Sequence, residues 1–412
     1  MRSCSHRHPL LCIVPPHLLV HLAQQRDPKL RAISEHALRT LLASEQIRGG
    51  RRAIGGINPL AATPAGVKRR TIFDAENGST LPGKLLRGEG DQASADASVN
   101  EAYDGLGATW ELFWAAYTRN SIDGRGSRLD ATVHYREKFD NAFWDGQQMV
   151  FGDGDGVIFE RFTKCLDVIG HELTHGVTQY EANLAYDGQP GALNEHMSDA
   201  FGSLVKQMAL GQTADRADWL IGAGLFTPKV KGVALRSMQN PGTAYDDPRI
   251  GKDPQPAHMR DYVDTTDDNG GVHINSGIPN RAFCLAALGF GGRAWLKAGR
   301  VWYVTLTDLL KERSDFRAAA AATTDVAGRE FGNEGAGIVR GAWQAVGITP
   351  PAPKPPSPST TKPAPKPAPK PAPKPKPTPR REPASRPSRA TKPKPARGPA
   401  RSASRTSRRA LG

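Results

Sequence analysis

The chain has 412 residues, 38% of them hydrophobic, which is enough for sizeable cores in two or three folding units, and it carries a formal net charge of +14. From Pro350 onward 17 Lys and Arg face the single Glu382, a net +16, so the residues before it hold 38 basic and 40 acidic side chains, a net −2, and the basicity belongs to the tail. Four cysteines make no disulfide framework, and no stretch is long and apolar enough to span a membrane.

In chain order, the apolar run from Leu10 to Val20 is interrupted by Pro15-Pro16 and His17, with no clean small-residue cleavage pattern behind it, so no standard signal peptide is expected. Residues 71–160 read as β-rich, with turn residues, alternation such as Thr132-Val133-His134-Tyr135, and a glycine-aspartate turn at Gly152 to Gly156. From Cys165 the period becomes helical: Asp167–Tyr180 and Ala192–Met208 are the clearest helices, and Trp295–Leu310, Phe316–Ala327 and Glu334–Val346 continue the pattern. The tail is a Pro-Ala-Pro-Lys repeat around residues 363–376 followed by an Arg/Ser/Pro-rich stretch. It predicts an extended, disordered segment, partly polyproline II. Such a tail serves either to attach to an anionic polymer, cell envelope or nucleic acid, or as a solubilising extension; no aromatic residue interleaves the charges to stack on bases.

The chemistry concentrates at His171-Glu172-Leu173-Thr174-His175. On a helix, residues four apart sit one turn above each other, so both imidazoles face one point, a grip suited to Zn²⁺. Glu172 can then reach a water at the metal without closing the coordination shell. In the second helical pattern, Gly191 to Asp199, Glu195 offers a third, oxygen ligand and leaves the fourth position open, which is a catalytic arrangement. Asp199, one turn further on the same face, can accept the outer N–H of a ligating imidazole and fix its tautomer. Downstream, His273 lies in a Gly-flanked turn before a helix, with Asp268 five residues earlier.

These stretches, together with Asn141-Ala142-Phe143-Trp144, Gly152 to Gly156 and Leu235-Arg236-Ser237-Met238, occur in the order and nearly the spacing of the thermolysin family of zinc metallopeptidases. The chain resembles that family over residues 70–348, and most closely its protealysin-like branch. The resemblance implies a two-lobed α+β fold, β-rich in the N-terminal lobe and helical in the C-terminal lobe, with the zinc helix between them. It implies Zn²⁺ on His171, His175 and Glu195, Glu172 as the base, and Asp199 supporting a zinc histidine. Tyr186 and His273 fall where the family places donors to the developing oxyanion, and Asp268 where it orients that histidine. Arg236 matches the arginine that binds a substrate carbonyl, and Asn141-Ala142 the strand edge that aligns the peptide. Phe159, Phe162, Val168, Ile221 and Leu235 match the apolar wall of the pocket for the residue after the scissile bond.

The resemblance also implies a short prosegment over residues 1–50, because Val14-Pro15-Pro16-His17-Leu18-Leu19 is similar to the Pro-Pro motif of protealysin-like precursors. That segment would inhibit its own enzyme and be cut near Arg48 to Arg52 or Lys68 to Arg70, with catalytic lobes over 51–164 and 165–349 and the tail over 350–412. Cys165 and Cys284 would be buried in core helices, whereas Cys4 or Cys12 could ligate the zinc of the precursor. Where thermolysin has a double calcium site, only Asp167 and Asp218 remain among Lys206, Leu220 and Ala223, so no calcium pair is expected. The expectation is a monomeric, self-processing endopeptidase acting on peptides and proteins, secreted or else retained in the cytoplasm. The alternative is a catalytically silent peptide-binding or envelope-attached protein on the same fold, but such a protein would be expected to lack Glu172, Glu195 or His273, and all three are present.

Overall fold

The computed structural model describes residues 11–51 and 64–351, which belong to one compact unit. Cys4, the segment 52–63 and the basic tail lie outside the described residues. An N-terminal arm opens with strand β1 (Leu11–Cys12) and helices α1 (Pro16–Ala23) and α2 (Arg31–Arg51). Pro16 starts α1, where a missing N–H costs no helical hydrogen bond. The first lobe then runs β2 (Arg70–Asp74), β3 (Lys84–Gly88), α3 (Ala97–Tyr117), β4 (Leu129–Val133), β5 (Ala142–Trp144) and β6 (Met149–Phe151). Its mixed sheet has the order β1-β5-β6-β4-β2-β3, so the arm supplies an edge strand, antiparallel to β5 with Leu11 opposite Trp144 and Cys12 opposite Phe143.

Within the β-rich stretch 71–160 the sequence reading lacks one element, α3, whose 21 residues pack against this sheet. The signal was present: Asp96 caps the helix by accepting from the Ser98 amide at 2.8 Å, and Val99, Ala102, Tyr103, Leu106, Trp110, Phe113 and Tyr117 recur at helical spacing and are all buried. Two glycines inside the helix, Gly105 and Gly107, obscure it. Gly105 is there for packing, since a Cβ would come within 2.3 Å of Ile169 Cδ1.

The second lobe is built from α4 (Leu166–Tyr180) and α5 (Gly188–Ala209), short ribbons β7 (Leu220–Ile221) with β8 (Arg236–Ser237) and β9 (Asp246–Asp247) with β10 (Gly251–Lys252), then α6 (Asp268–Asn275), α7 (Gly277–Phe290), α8 (Ala298–Val304) and α9 (Phe316–Ala345). The expected helix at Trp295–Leu310 is divided, with α8 passing into a π-turn at Thr305–Leu309, while α9 joins two expected helices across a break at Gly332. Helices α4 and α5 meet closely because neither carries a side chain at their crossing. A Cβ on Gly202 would lie 2.4 Å from the Asp167 carbonyl and 2.9 Å from the His171 amide. That crossing sets the distance between the histidines of α4 and Glu195 of α5. The two-lobed α+β architecture, a mixed sheet followed by a helical lobe, is thus the one the sequence predicts. Among the described residues no helix is long and apolar enough to cross a membrane.

Candidate active site

His171 and His175 project from α4, and their Nε2 atoms lie 3.0 Å apart. Each ring is held from behind. Asp199 Oδ1 lies 2.8 Å from His171 Nδ1, and Asn194 Oδ1 lies 2.9 Å from His175 Nδ1. The Asn194 amide is itself oriented, since its Nδ2 donates to the Leu184 carbonyl at 3.2 Å. With both Nδ1 atoms facing acceptors, the protons sit there and two Nε2 lone pairs face each other. Glu195 adds its carboxylate at 3.4 Å from His171 Nε2 and 3.5 Å from His175 Nε2, and its buried Oε2 has no hydrogen-bond partner.

All three side chains are fully buried, and their ligand atoms lie within 4.8 Å of one another. Lone pairs and a carboxylate converging in a dry site repel unless a cation lies between them, so the donor set fits a dication. Two imidazole nitrogens, one carboxylate oxygen and an open position suit Zn²⁺.

The electrostatics follow from burial and neighbours. Burial opposes charge on His171, but the hydrogen bond to Asp199 and the negative charge of Glu195 beside it outweigh burial and raise the ring above its ordinary value; burial takes His175 down to about 3. Although burial disfavours its charge, the surrounding histidines hold Glu195 well below the carboxylate range. Glu172 is buried beside them, its carboxyl pushed up to about 8 by burial; Oε2 accepts from the Trp144 amide at 3.0 Å and Oε1 has no partner.

Across the site stand Tyr186 and His273. Tyr186 Oη donates to Glu195 Oε1 and lies 3.3 Å from His273 Nε2. His273 is placed by an unusual turn: Asn269, Gly270 and Gly271 all take left-handed φ values of 52°, 82° and 72°, so the regular helix of α6 begins only after them. Asp268, just before that turn, accepts from the His273 amide at 2.8 Å through Oδ2 and faces its Nδ1 at 2.6 Å through Oδ1. Arg236 on β8 is fully buried and forks onto Asp199, Nε to Oδ2 and Nη2 to Oδ1, both at 2.8 Å.

The N-terminal arm fills the cleft between these groups. His273 Nε2 lies 2.9 Å from the Cys12 carbonyl, and the Ile13 amide donates to the Ala142 carbonyl at 3.3 Å. Arg236 Nη1 donates to the Ile13 carbonyl at 3.0 Å, and the Val14 amide donates to Asn141 Oδ1 at 3.1 Å. Phe159, Phe162, Val168, Ile221 and Leu235 are buried in the same apolar cluster as Ile13 and Val14. Cys12 reaches the site through its carbonyl, while its side chain belongs to a separate cluster with Tyr135, Phe139 and Phe143; it is not among the ligands that converge on the metal position. Asn194 and the Trp144 amide were not read from the sequence. Asn194 directly precedes Glu195, one turn before Ser198, which also contacts His175 at 2.9 Å, and that helical spacing was the available signal.

The description "Thermolysin metallopeptidase, catalytic domain" matches residues 65–179, and "Thermolysin metallopeptidase, alpha-helical domain" matches 182–348. The chain belongs to the thermolysin family of metallopeptidases. It is 50% identical over 344 residues to an extracellular metalloprotease of Pectobacterium carotovorum subsp. carotovorum, covering 82% of this chain and 97% of that relative. It is 49% identical over 282 residues to protease PrtS of Photorhabdus sp. (strain Az29), covering 68% and 76%. The solved precursor of protealysin, a metalloproteinase from Serratia proteamaculans, superposes with a TM-score of 0.76 at 50% identity, over 82% of this chain and all of that one. As a thermolysin-family member the chain is a zinc metalloprotease, and His171, His175 and Glu195 form the group that can hold the metal.

Proposed function

We propose that the described form is a zinc endopeptidase closed by its own prosegment, residues 1–50, whose described part from Leu11 onward lies in the cleft in the direction of a substrate. What carries the reading is the run of contacts from Cys12 to Val14 on His273, Ala142, Arg236 and Asn141. An extended peptide added to a sheet edge is held by its backbone, and its side chains then select the pockets. In this register the Cys12 carbonyl stands for the one under attack and Ile13 for the residue after the scissile bond, which supports a preference for apolar residues there. The preference is broad, because one methylene is worth only about 1 to 3 kcal/mol.

Bound Zn²⁺ supplies a Lewis acid that activates water and polarises the carbonyl. Glu172 takes the water's proton on Oε1, with Oε2 anchored by the Trp144 amide, and passes it to the departing amide nitrogen. His273 Nε2 and Tyr186 Oη donate to the carbonyl oxygen as charge develops on it. Asp268 keeps the proton on the His273 ring and aims it. Arg236, fixed by Asp199, grips the next carbonyl. The Pectobacterium relative named as extracellular supports secretion of this chain as well.

The test is to express the wild type and Glu172→Gln side by side and read N-termini, zinc content and cleavage of a random peptide library. The wild type should shed the prosegment and cut before Leu, Ile or Phe, while Glu172→Gln should keep both prosegment and zinc. A variant that matures unaided, or that loses its zinc, overturns the assignment of Glu172.

A further inference from the structure

Asp199 is held on its far side by a chain of buried polar groups that runs away from the metal. Asn280 on α7 donates through Nδ2 to Asp199 Oδ2 at 2.8 Å, and His196 Nδ1 lies 2.8 Å from Asn280 Oδ1. Trp302 on α8 donates its indole N–H to His196 Nε2 at 2.7 Å. All four residues, and His171 beyond them, are fully buried.

The polarity of this chain is fixed at both ends. An indole N–H can only donate, so His196 Nε2 carries no proton and its hydrogen sits on Nδ1. That hydrogen faces the Asn280 carbonyl oxygen, which turns the amide NH₂ toward Asp199. From the other end, a carboxylate can only accept, which requires the same orientation of Asn280. The amide orientation and the histidine tautomer, ordinarily ambiguous, are here dictated by neighbours that have no choice.

We infer that Trp302, His196 and Asn280 form a positioning relay that sets the Asp199 carboxylate and, through it, the tautomer of the metal ligand His171. Asp199 Oδ1 accepts from His171 and from Arg236 Nη2, while Oδ2 accepts from Arg236 Nε and Asn280. Four donors in fixed directions leave the carboxylate one orientation, with Oδ1 facing His171 Nδ1. Without the Asn280 contact, Arg236 alone would orient it, and that arginine also reaches into the cleft at the Ile13 carbonyl. The relay therefore holds the metal ligand steady while Arg236 exchanges one peptide for another. Its far end is rigid, because the Trp302 ring stacks on Trp343 with ring centres 6.3 Å apart and planes 7° apart.

Three variants of the full chain test this: Asn280→Leu, Trp302→Phe, and Phe283→Leu as a control that loosens packing on the same indole, 5.1 Å away, and on the His196 ring, 6.3 Å away, while removing no hydrogen-bonding group of the relay. The measurements are zinc affinity by competition with a chelator, melting temperature, and ring ¹⁵N shifts of His171 and His196. Outer partners of metal ligands are worth roughly 10- to 100-fold in affinity. Asn280→Leu should weaken zinc about tenfold. Trp302→Phe should weaken it less and give His196 a mixture of tautomers, and Phe283→Leu should lower the melting temperature with zinc affinity unchanged. Wild-type affinity in both relay variants, or a loss in Phe283→Leu matching theirs at equal melting temperature, would overturn the relay. Should Asn280→Leu fail to fold, the tautomer and affinity of Trp302→Phe decide.

Discussion

Helices α4 and α5 carry two clusters of acids and bases, and the difference between them shows how a chain decides where a metal belongs. Around His171, His175 and Glu195, imidazole lone pairs and a carboxylate converge; Tyr186 donates to Glu195 Oε1 from one side, and the buried Oε2 has no hydrogen-bond partner. Nearer the start of α4, Asp167 is equally buried, but Lys206 Nζ lies 2.8 Å from it, within 2.8 Å of Asp218 and 2.7 Å from the Leu220 carbonyl. There the cation is part of the chain. A covalently attached ammonium needs no ion from solution, whereas the lone pairs and carboxylate of the first cluster call for a dication.

Breaking the two clusters separates their roles. The largest effect is expected at the catalytic one: His273→Ala should lower kcat by about 10² to 10³ with KM little changed, because its contact strengthens only as the oxyanion forms. Steady-state kinetics decide this, and a raised KM at constant kcat would mean that His273 merely binds substrate. Asp268→Asn should give a milder form of the same defect.

At the second cluster, Lys206→Met should cost about 3 to 5 kcal/mol by leaving the buried Asp167 carboxylate uncompensated, while zinc content and the kcat of the surviving folded enzyme stay unchanged. Chelating calcium from the wild type should leave its melting curve in place, and stripping zinc should abolish activity. A calcium-dependent rise of many degrees in the wild type would contradict the view that Lys206 takes the cation's place.

A smaller effect should appear where the N-terminal arm meets the cleft. His17 Nε2 lies 2.9 Å from Tyr245 Oη, its Nδ1 has no partner, and burial lowers it to about 4, with Arg236, His273 and His21 opposing its charge and Asp268 favouring it. Because the docked value lies below the free one, docking is at full strength above the free value of 6.5 and weakens as pH falls toward 4. A peptide of residues 1–50, added in trans to enzyme lacking them, should bind roughly tenfold more weakly at pH 5 than at pH 7, and His17→Leu should remove most of that difference. Equal pH dependence in both would assign the effect to other groups.

The smallest effect on catalysis is expected from the tail. Truncation after Thr349 should leave cleavage of small peptides intact, and if the +16 charge serves for attachment it should abolish a retention on anionic polymer that salt screens over about 10 Å at 0.1 M. Equal retention of both forms at low salt would leave the tail a solubilising extension.

The ligands of the metal were legible because their spacing is a property of one helix: four residues is one turn, so His171 and His175 must converge wherever α4 lies. The helical lobe was legible for the same reason. Helix α3 was hidden by Gly105 and Gly107, whose helix-weakening effect is local while the packing against Ile169 that requires Gly105 is not. Asn194 escaped notice because an asparagine beside a ligand has many uses, and only the fold turns its Oδ1 toward His175.

The sequence by itself determined the family, the metal ligands and the two-lobed plan, since these rest on residue identity and short-range period. What only the tertiary structure decided is which groups far apart in the sequence come into contact. That includes Cys12 on His273, Ile13 on Arg236, and Trp302 reaching Asp199 through His196 and Asn280. Such contacts depend on how helices cross and strands pair across the whole chain, and periodicity within one element carries no information about them.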